Sequence, residues 1–163
     1  MNPDRIEPGP GQESVWDYPR PPRIEPTDAH IRVELGGETV ADTRRAVRVL
    51  ETSQPPAFYL PPDDVRTEHL VPTTTRTFCE WKGPASYYTV RAGGTEAQDA
   101  AWTYADPVDA FAPIAGWFAF YAQRLDCFVD DEQVTANEGS YYGGWITSSV
   151  VGPFKGGTGT SHW

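Results

Sequence analysis

Regular patterning begins at Ile31-Arg32-Val33-Glu34-Leu35, where apolar and charged residues alternate with the two-residue period of a half-buried strand. Gly36-Gly37 then turns the chain into Thr39-Val40-Ala41, which predicts a hairpin. The β-branched run Arg44-Arg45-Ala46-Val47-Arg48-Val49-Leu50-Glu51 predicts another strand, with a short helix over Thr43 to Leu50 as the competing form. Thr52-Ser53-Gln54-Pro55-Pro56 ends it, and Ala57-Phe58-Tyr59-Leu60 predicts a short strand stopped by Pro61-Pro62. Asp63 to Leu70 reads as a helical turn capped by Asp63 or Asp64, with Val65, His69 and Leu70 near one face.

The richest stretch follows. Thr77-Phe78-Cys79-Glu80-Trp81 and Ala85-Ser86-Tyr87-Tyr88 flank a Lys82-Gly83-Pro84 break, which predicts a hairpin from Thr74 to Arg91, closed by a Gly93-Gly94 loop. Ala101-Trp102-Thr103-Tyr104 predicts a strand in which Trp102 and Tyr104 share a face. Pro107 and Pro113 bracket a loop or short turn. The most apolar run, Ile114 to Tyr121, predicts a buried strand, and Cys127-Phe128-Val129-Asp130 the last core strand.

Both ends differ in composition. Residues 1–28 are punctuated by prolines and read as an extended arm or disordered tail, whose middle (Val15, Trp16, Tyr18) can dock on the domain. Residues 133–163, with Tyr141-Tyr142-Gly143-Gly144-Trp145-Ile146, read as a Gly/aromatic tail lying across the domain of residues 29–132 or across a second copy, giving a homodimer.

Composition narrows the function classes. A formal charge of −10 argues against a nucleic-acid surface and against anionic membranes, because both need clustered Lys and Arg. No apolar run approaches the roughly 20 residues of a membrane span. The N-terminal residues lack the pattern of a secretory signal, and two cysteines are too few for a disulfide framework, so a cytoplasmic protein is expected. Aromatic residues at 13%, with sixteen prolines and fifteen glycines, favour a turn-rich β fold over long helices.

The motifs resemble those of the DUF427 family, also catalogued under a nucleotidyltransferase-like label. The matching residues are Leu50-Glu51-Thr52-Ser53 with Pro55-Pro56, Phe58-Tyr59-Leu60-Pro61 with Asp64-Val65, and Thr77 with Cys79, Lys82-Gly83 and Ala85-Ser86-Tyr87-Tyr88. Ala101-Trp102 with Tyr104 and Pro107, then Ile114-Ala115-Gly116 and Ala119-Phe120-Tyr121, complete the set, which covers Ile31 to Glu132. The tail from Tyr141 to Gly157 is similar to that of actinobacterial members. Glu80 departs from the proline that many members carry and adds a charge beside the implied cleft. The resemblance implies a compact all-β fold of the two-sheet β-tent, Mss4-like type, with a cleft between the sheets and no assured activity.

Within that frame Glu51 is a ligand contact, a general base, or a carboxylate paired with Arg44, Arg45 or Lys82. Lys82 is a solvated turn lysine, an anion contact or the partner of Glu51. Cys79 reads as a buried, inert thiol, since no histidine is placed beside it to make a nucleophile. Tyr87, Trp102, Tyr104 and Tyr121 are core aromatics singly and a cleft lining together, with Arg44 as a further ligand contact. No metal site or cofactor is expected: Cys79 and Cys127 lack neighbouring soft ligands, no Asp-x-Asp pair accompanies a Gly-Ser turn, and Lys155 precedes its glycine pair instead of following it. The expected partner is a small polar or aromatic ligand oriented by Glu51 and Lys82 and packed by Tyr87 and Trp102. Two other functions stay open, a group-transfer enzyme with Glu51 as base and an interaction module using the tail.

Overall fold

The computed structural model describes residues 4–139, 142–157 and 159–163. The chain is all-β, with two four-stranded sheets and a three-stranded sheet, none closed into a barrel. The first sheet runs Phe118–Phe120, Thr95–Thr103, Gly83–Ala92, Leu70–Cys79, and the second runs Glu132–Gln133, Asp126–Val129, Ile31–Leu35, Glu38–Thr43. The third is Arg23–Pro26, Val47–Leu50, Ala57–Tyr59. Reciprocal bonds between Leu60 and Phe118 (2.8 and 3.0 Å) join it to the first sheet.

Alternation decides where each side chain goes. Ile31, Val33 and Val40 of the second sheet meet Val90, Ala97, Ala101 and Phe120 of the first in one apolar core. Tyr87, Trp102 and Ala119 on the same strands, with Tyr121 just past the end of Phe118–Phe120, turn to the opposite face and form a second cluster. The short strand Ala57–Tyr59 obeys the same rule, with Phe58 in the first core and Tyr59 in the second. The inner strands Gly83–Ala92 and Thr95–Thr103 thus pack on both faces, one against the mixed aliphatic and aromatic core and one against the ring cluster, while Leu70–Cys79 is a partly exposed edge.

The Arg44 to Leu50 stretch holds the expected strand, over Val47–Leu50, and not the competing helix. Other expectations change. Asp63 to Leu70 is two 3₁₀ turns instead of one capped turn. Asp64 caps neither of them. It accepts from Thr43 Oγ1 (2.6 Å) and pairs with Arg45 (2.9 Å), and these contacts hold its pKa below the usual carboxylate value. The apolar run from Ile114 is a strand only over Phe118–Phe120, because a 3₁₀ helix over Asp109–Ile114 and the positive φ of Gly116 precede it.

Both termini are structural. Glu13–Ser14 pairs in parallel with Val150–Val151, and Arg23–Pro26 forms the edge of the third sheet, a position that tolerates Pro26. The tail lies across its own domain. Trp145 is fully buried, stacks on Phe58 (5.0 Å) and donates its indole N–H to the Phe120 carbonyl (2.8 Å). Asp126–Val129 is therefore not the last strand to reach the core. Tyr141 lies outside the described residues. Among the described residues no helix is long and apolar enough to cross a membrane.

Glu13 anchors the arm: Arg48 bonds it at 3.0 Å and Tyr18 OH donates to it at 2.8 Å. The Arg48 hydrogen bond, the largest influence, lowers the Glu13 pKa against partial desolvation. A lowered carboxylate pKa adds stability that is present above the unfolded value near 4.5 and lost as pH falls through the folded one. Denaturant midpoints between pH 6 and 3 should therefore fall more steeply for the wild type than for Glu13→Gln, and parallel slopes would refute the anchor. Trp145→Ala should cost about 3–5 kcal/mol, as large aromatic truncations in cores do. A cost below about 1 kcal/mol in the same assay would show the tail to be an appendage.

Candidate functional site

The ring-lined face of the first sheet opens into a cleft of about 550 Å³. Its floor is built from Tyr59, Tyr87, Trp102, Tyr104 and Tyr121, supplied by strands or strand ends of two sheets. The tip of the central hairpin, Phe78 to Lys82, forms one wall, and the loop after Val47–Leu50 together with the tail at Tyr142-Gly143-Gly144 forms the other. Six expected residues, Glu51, Lys82, Tyr87, Trp102, Tyr104 and Tyr121, line this one space. Arg44 does not: it is exposed and lies outside the cleft, between the end of Glu38–Thr43 and the start of Val47–Leu50.

The rings hold one another. Tyr121 packs at 4.6 Å from Trp102 and stacks at 6.5 Å on Tyr87. The Trp102 indole N–H donates to Tyr59 OH (3.2 Å), and Tyr87 OH bonds Thr77 Oγ1 (3.0 Å). Burial, above all, pushes the phenols of Tyr59, Tyr104 and Tyr121 up, so they are neutral hydroxyls at physiological pH.

Lys82 is the unusual member. Glu80, Trp81 and Lys82 turn the chain between Leu70–Cys79 and Gly83–Ala92, and Gly83 has φ +108°, a conformation that side-chain-bearing residues avoid. Val108 N–H donates to the Lys82 carbonyl at 2.9 Å and fixes the turn. The side chain then points inward, leaving the residue 9% exposed, with Nζ 5.6 Å from the Tyr104 ring centre and 5.7 Å from that of Phe111. Desolvation, the largest influence, opposes its charge, but Tyr59, Cys79 and Glu51 together outweigh it and leave the pKa raised. Lys82 is thus no solvated turn lysine. Cys79 is half-buried on the cleft wall beside it, not sealed in the core, whereas Cys127 is buried and its thiol is pushed up by desolvation.

Glu51 is paired with Arg20 of the N-terminal arm (3.6 Å), a partner other than the three expected. Sequence reasoning also missed a polar group at the cleft edge. Thr73 and Thr75 hydroxyls donate to the two oxygens of Asp99, each at 2.7 Å. Irregular pairing brings them together: the register shifts between Pro72 and Arg76 on one strand pair and between Tyr88 and Val90 on the next, and Asp99 has φ +50°. No spacing in the sequence announces such bulges. Arg124 and Lys155 line the cleft as well. Among the described residues no three His, Cys, Asp or Glu side chains gather as a metal-ligand group.

The tail closes against the rings through glycine. A Cβ on Gly143 would stand 2.2 Å from the Trp102 ring, and one on Gly144 would stand 2.3 Å from the Pro55 carbonyl oxygen. The Gly-aromatic composition of this segment is therefore a close-approach requirement.

A family model described as a domain of unknown function (DUF427) matches residues 23–131. The match starts with the edge strand Arg23–Pro26 and takes in the floor and hairpin wall of the cleft, while Gly143, Gly144 and Lys155 fall beyond it. No curated protein matches the chain.

Gly143→Ala should lift the tail off Trp102 and cost roughly 1–3 kcal/mol, the usual range for overpacking. The Trp102 indole resonance should shift in a two-dimensional NMR spectrum. An unchanged resonance and an unchanged stability would contradict the close approach.

Proposed function

The chain belongs to the DUF427 family, and from that premise we propose that its cleft binds a small, flat, polar ligand. The observation that carries this reading is the convergence of Glu51, Lys82, Tyr87, Trp102, Tyr104 and Tyr121 on one open space of about 550 Å³. That volume lies within the range of small-molecule pockets, and a ring-lined floor with a few placed polar groups is their usual chemistry. The rings of Trp102 and Tyr87 supply apolar area, and Lys82 and Glu51 give the ligand a direction. Glu51 sits against Arg20 at 3.6 Å, which fixes its carboxylate in place as an orienting acceptor for a ligand donor.

A thermal-shift screen against nucleotides, nucleosides, sugars and aromatic acids tests the proposal. Ligand at about 100 times its Kd adds about 2.7 kcal/mol, which for a domain of this size raises Tm by roughly 5–10 °C. At least one class should give a saturable shift of that order. The shift should shrink in Glu51→Gln, a variant whose unliganded Tm should stay within a few degrees of wild type. No saturable shift from any class would overturn the proposal.

A further inference from the structure

The cleft can be read in two opposite ways. Boxes of tyrosine and tryptophan recognise cations, whose charge is attracted to ring faces, so the five floor rings taken alone suggest an ammonium ligand. Lys82 reverses that reading. Its own ammonium already stands over Tyr104 and Phe111, so the attractive ring faces at the hairpin end are used by the protein. A second cation would meet a like charge where little water screens it.

The innermost charge of the cleft points the same way. Lys82 is nine-tenths buried, and no carboxylate lies within ion-pair distance of it among the described residues. Arg124, exposed at the mouth, also has no ion pair among them. Of the three carboxylates that line the cleft, Glu51 is paired with Arg20 and Asp99 accepts from two threonine hydroxyls, while Glu80 is exposed at the hairpin tip with no ion pair among the described residues. The whole chain carries a net charge of −10 and has two lysines, Lys82 and Lys155, and both line this cleft. Lys155 donates to the Trp163 carbonyl (3.3 Å) and stands over the Tyr142 ring, so Lys82 is the inner cation offered to a ligand.

We propose that the ligand of this cleft is a planar aromatic acid whose carboxylate is taken by Lys82 and whose ring lies against Trp102 and Tyr121. The inference rests on the binding reading above and adds the ligand's class. A free ammonium is a compact charge with three rotatable donors, which suits a carboxylate approaching along the ring plane. The approach also sets two opposite charges together where little water screens them, which strengthens their attraction.

Three probes that share the indole ring and a two-carbon side chain but differ in charge separate the alternatives: indole-3-acetate, the neutral alcohol tryptophol, and the cationic amine tryptamine. Calorimetry on the full chain should find indole-3-acetate bound at least tenfold more tightly than tryptophol, and tryptamine weakest of the three. In Lys82→Met the acid and the alcohol should bind alike. The inference is overturned if tryptophol or tryptamine equals the acid, or if the preference for the acid survives Lys82→Met. Binding of all three without preference would leave the cleft reading standing and remove the anion assignment alone. Binding of none removes this ligand class, and the broad ligand screen then decides the cleft reading separately. Should Lys82→Met fail to fold, reductive methylation of the wild type read by mass spectrometry decides the matter. Indole-3-acetate should protect Lys82 while tryptophol does not, and equal protection overturns the inference.

Discussion

The two-residue period of the first sheet is the constraint on which the rest of the molecule depends. Because Ala101 and Phe120 face one way and Trp102 and Tyr121 the other, a single set of strands seals an aliphatic core and lays the floor of a cleft. A one-residue slip in register would exchange the two sets, burying tyrosine hydroxyls in the aliphatic core and turning alanines toward the cleft. The cleft therefore requires no separate scaffold. Its rigidity is the rigidity of the sheet, reinforced by ring contacts such as Trp102 against Tyr121 at 4.6 Å.

Completion of the cleft falls to segments outside that sheet. The N-terminal arm supplies Arg20 to hold Glu51 and is tied down through Glu13 and Arg48. The C-terminal segment brings glycine over Trp102 and places Lys155 at the cleft, while Trp145 fastens it in the aliphatic core. Core stability and cleft shape are thus coupled: loosening Trp145 would also free the wall that covers Trp102.

Much of this was legible in the sequence, and the failures have physical causes. The period at Ile31 to Leu35 and the turn chemistry at Lys82-Gly83-Pro84 gave both hairpins, because local residues decide them. Tyr87, Trp102 and Tyr121 were found as a group because strand alternation puts them on one face. Arg44 was misplaced because the chain leaves its strand at Thr43, and alternation says nothing beyond a strand end. The apolar run from Ile114 hid a 3₁₀ helix, since hydrophobicity alone does not separate a buried turn from a strand. Trp145 belongs to the segment expected to lie across the domain, but its burial in the core and the steric role of its glycine neighbours have no local signature. Asp99 with Thr73 and Thr75 depends on bulges, and Glu51 with Arg20 spans thirty-one positions. Neither pairing leaves a local trace.

At the centre of the account is a buried lysine that keeps its charge. Burial, the largest influence, drives the Lys82 pKa down, and Tyr59, Cys79 and Glu51 drive it up, leaving the net direction upward. The most direct test is a pH titration of the folded protein labelled with ¹³C-lysine, followed by NMR. The chain has two lysines, so a Lys155→Arg variant leaves the Lys82 side-chain signal alone. The account predicts a Lys82 midpoint above the ordinary value of 10.5. A midpoint well below it would mean that desolvation prevails, and would contradict the claim of a cleft charged in advance for an anion.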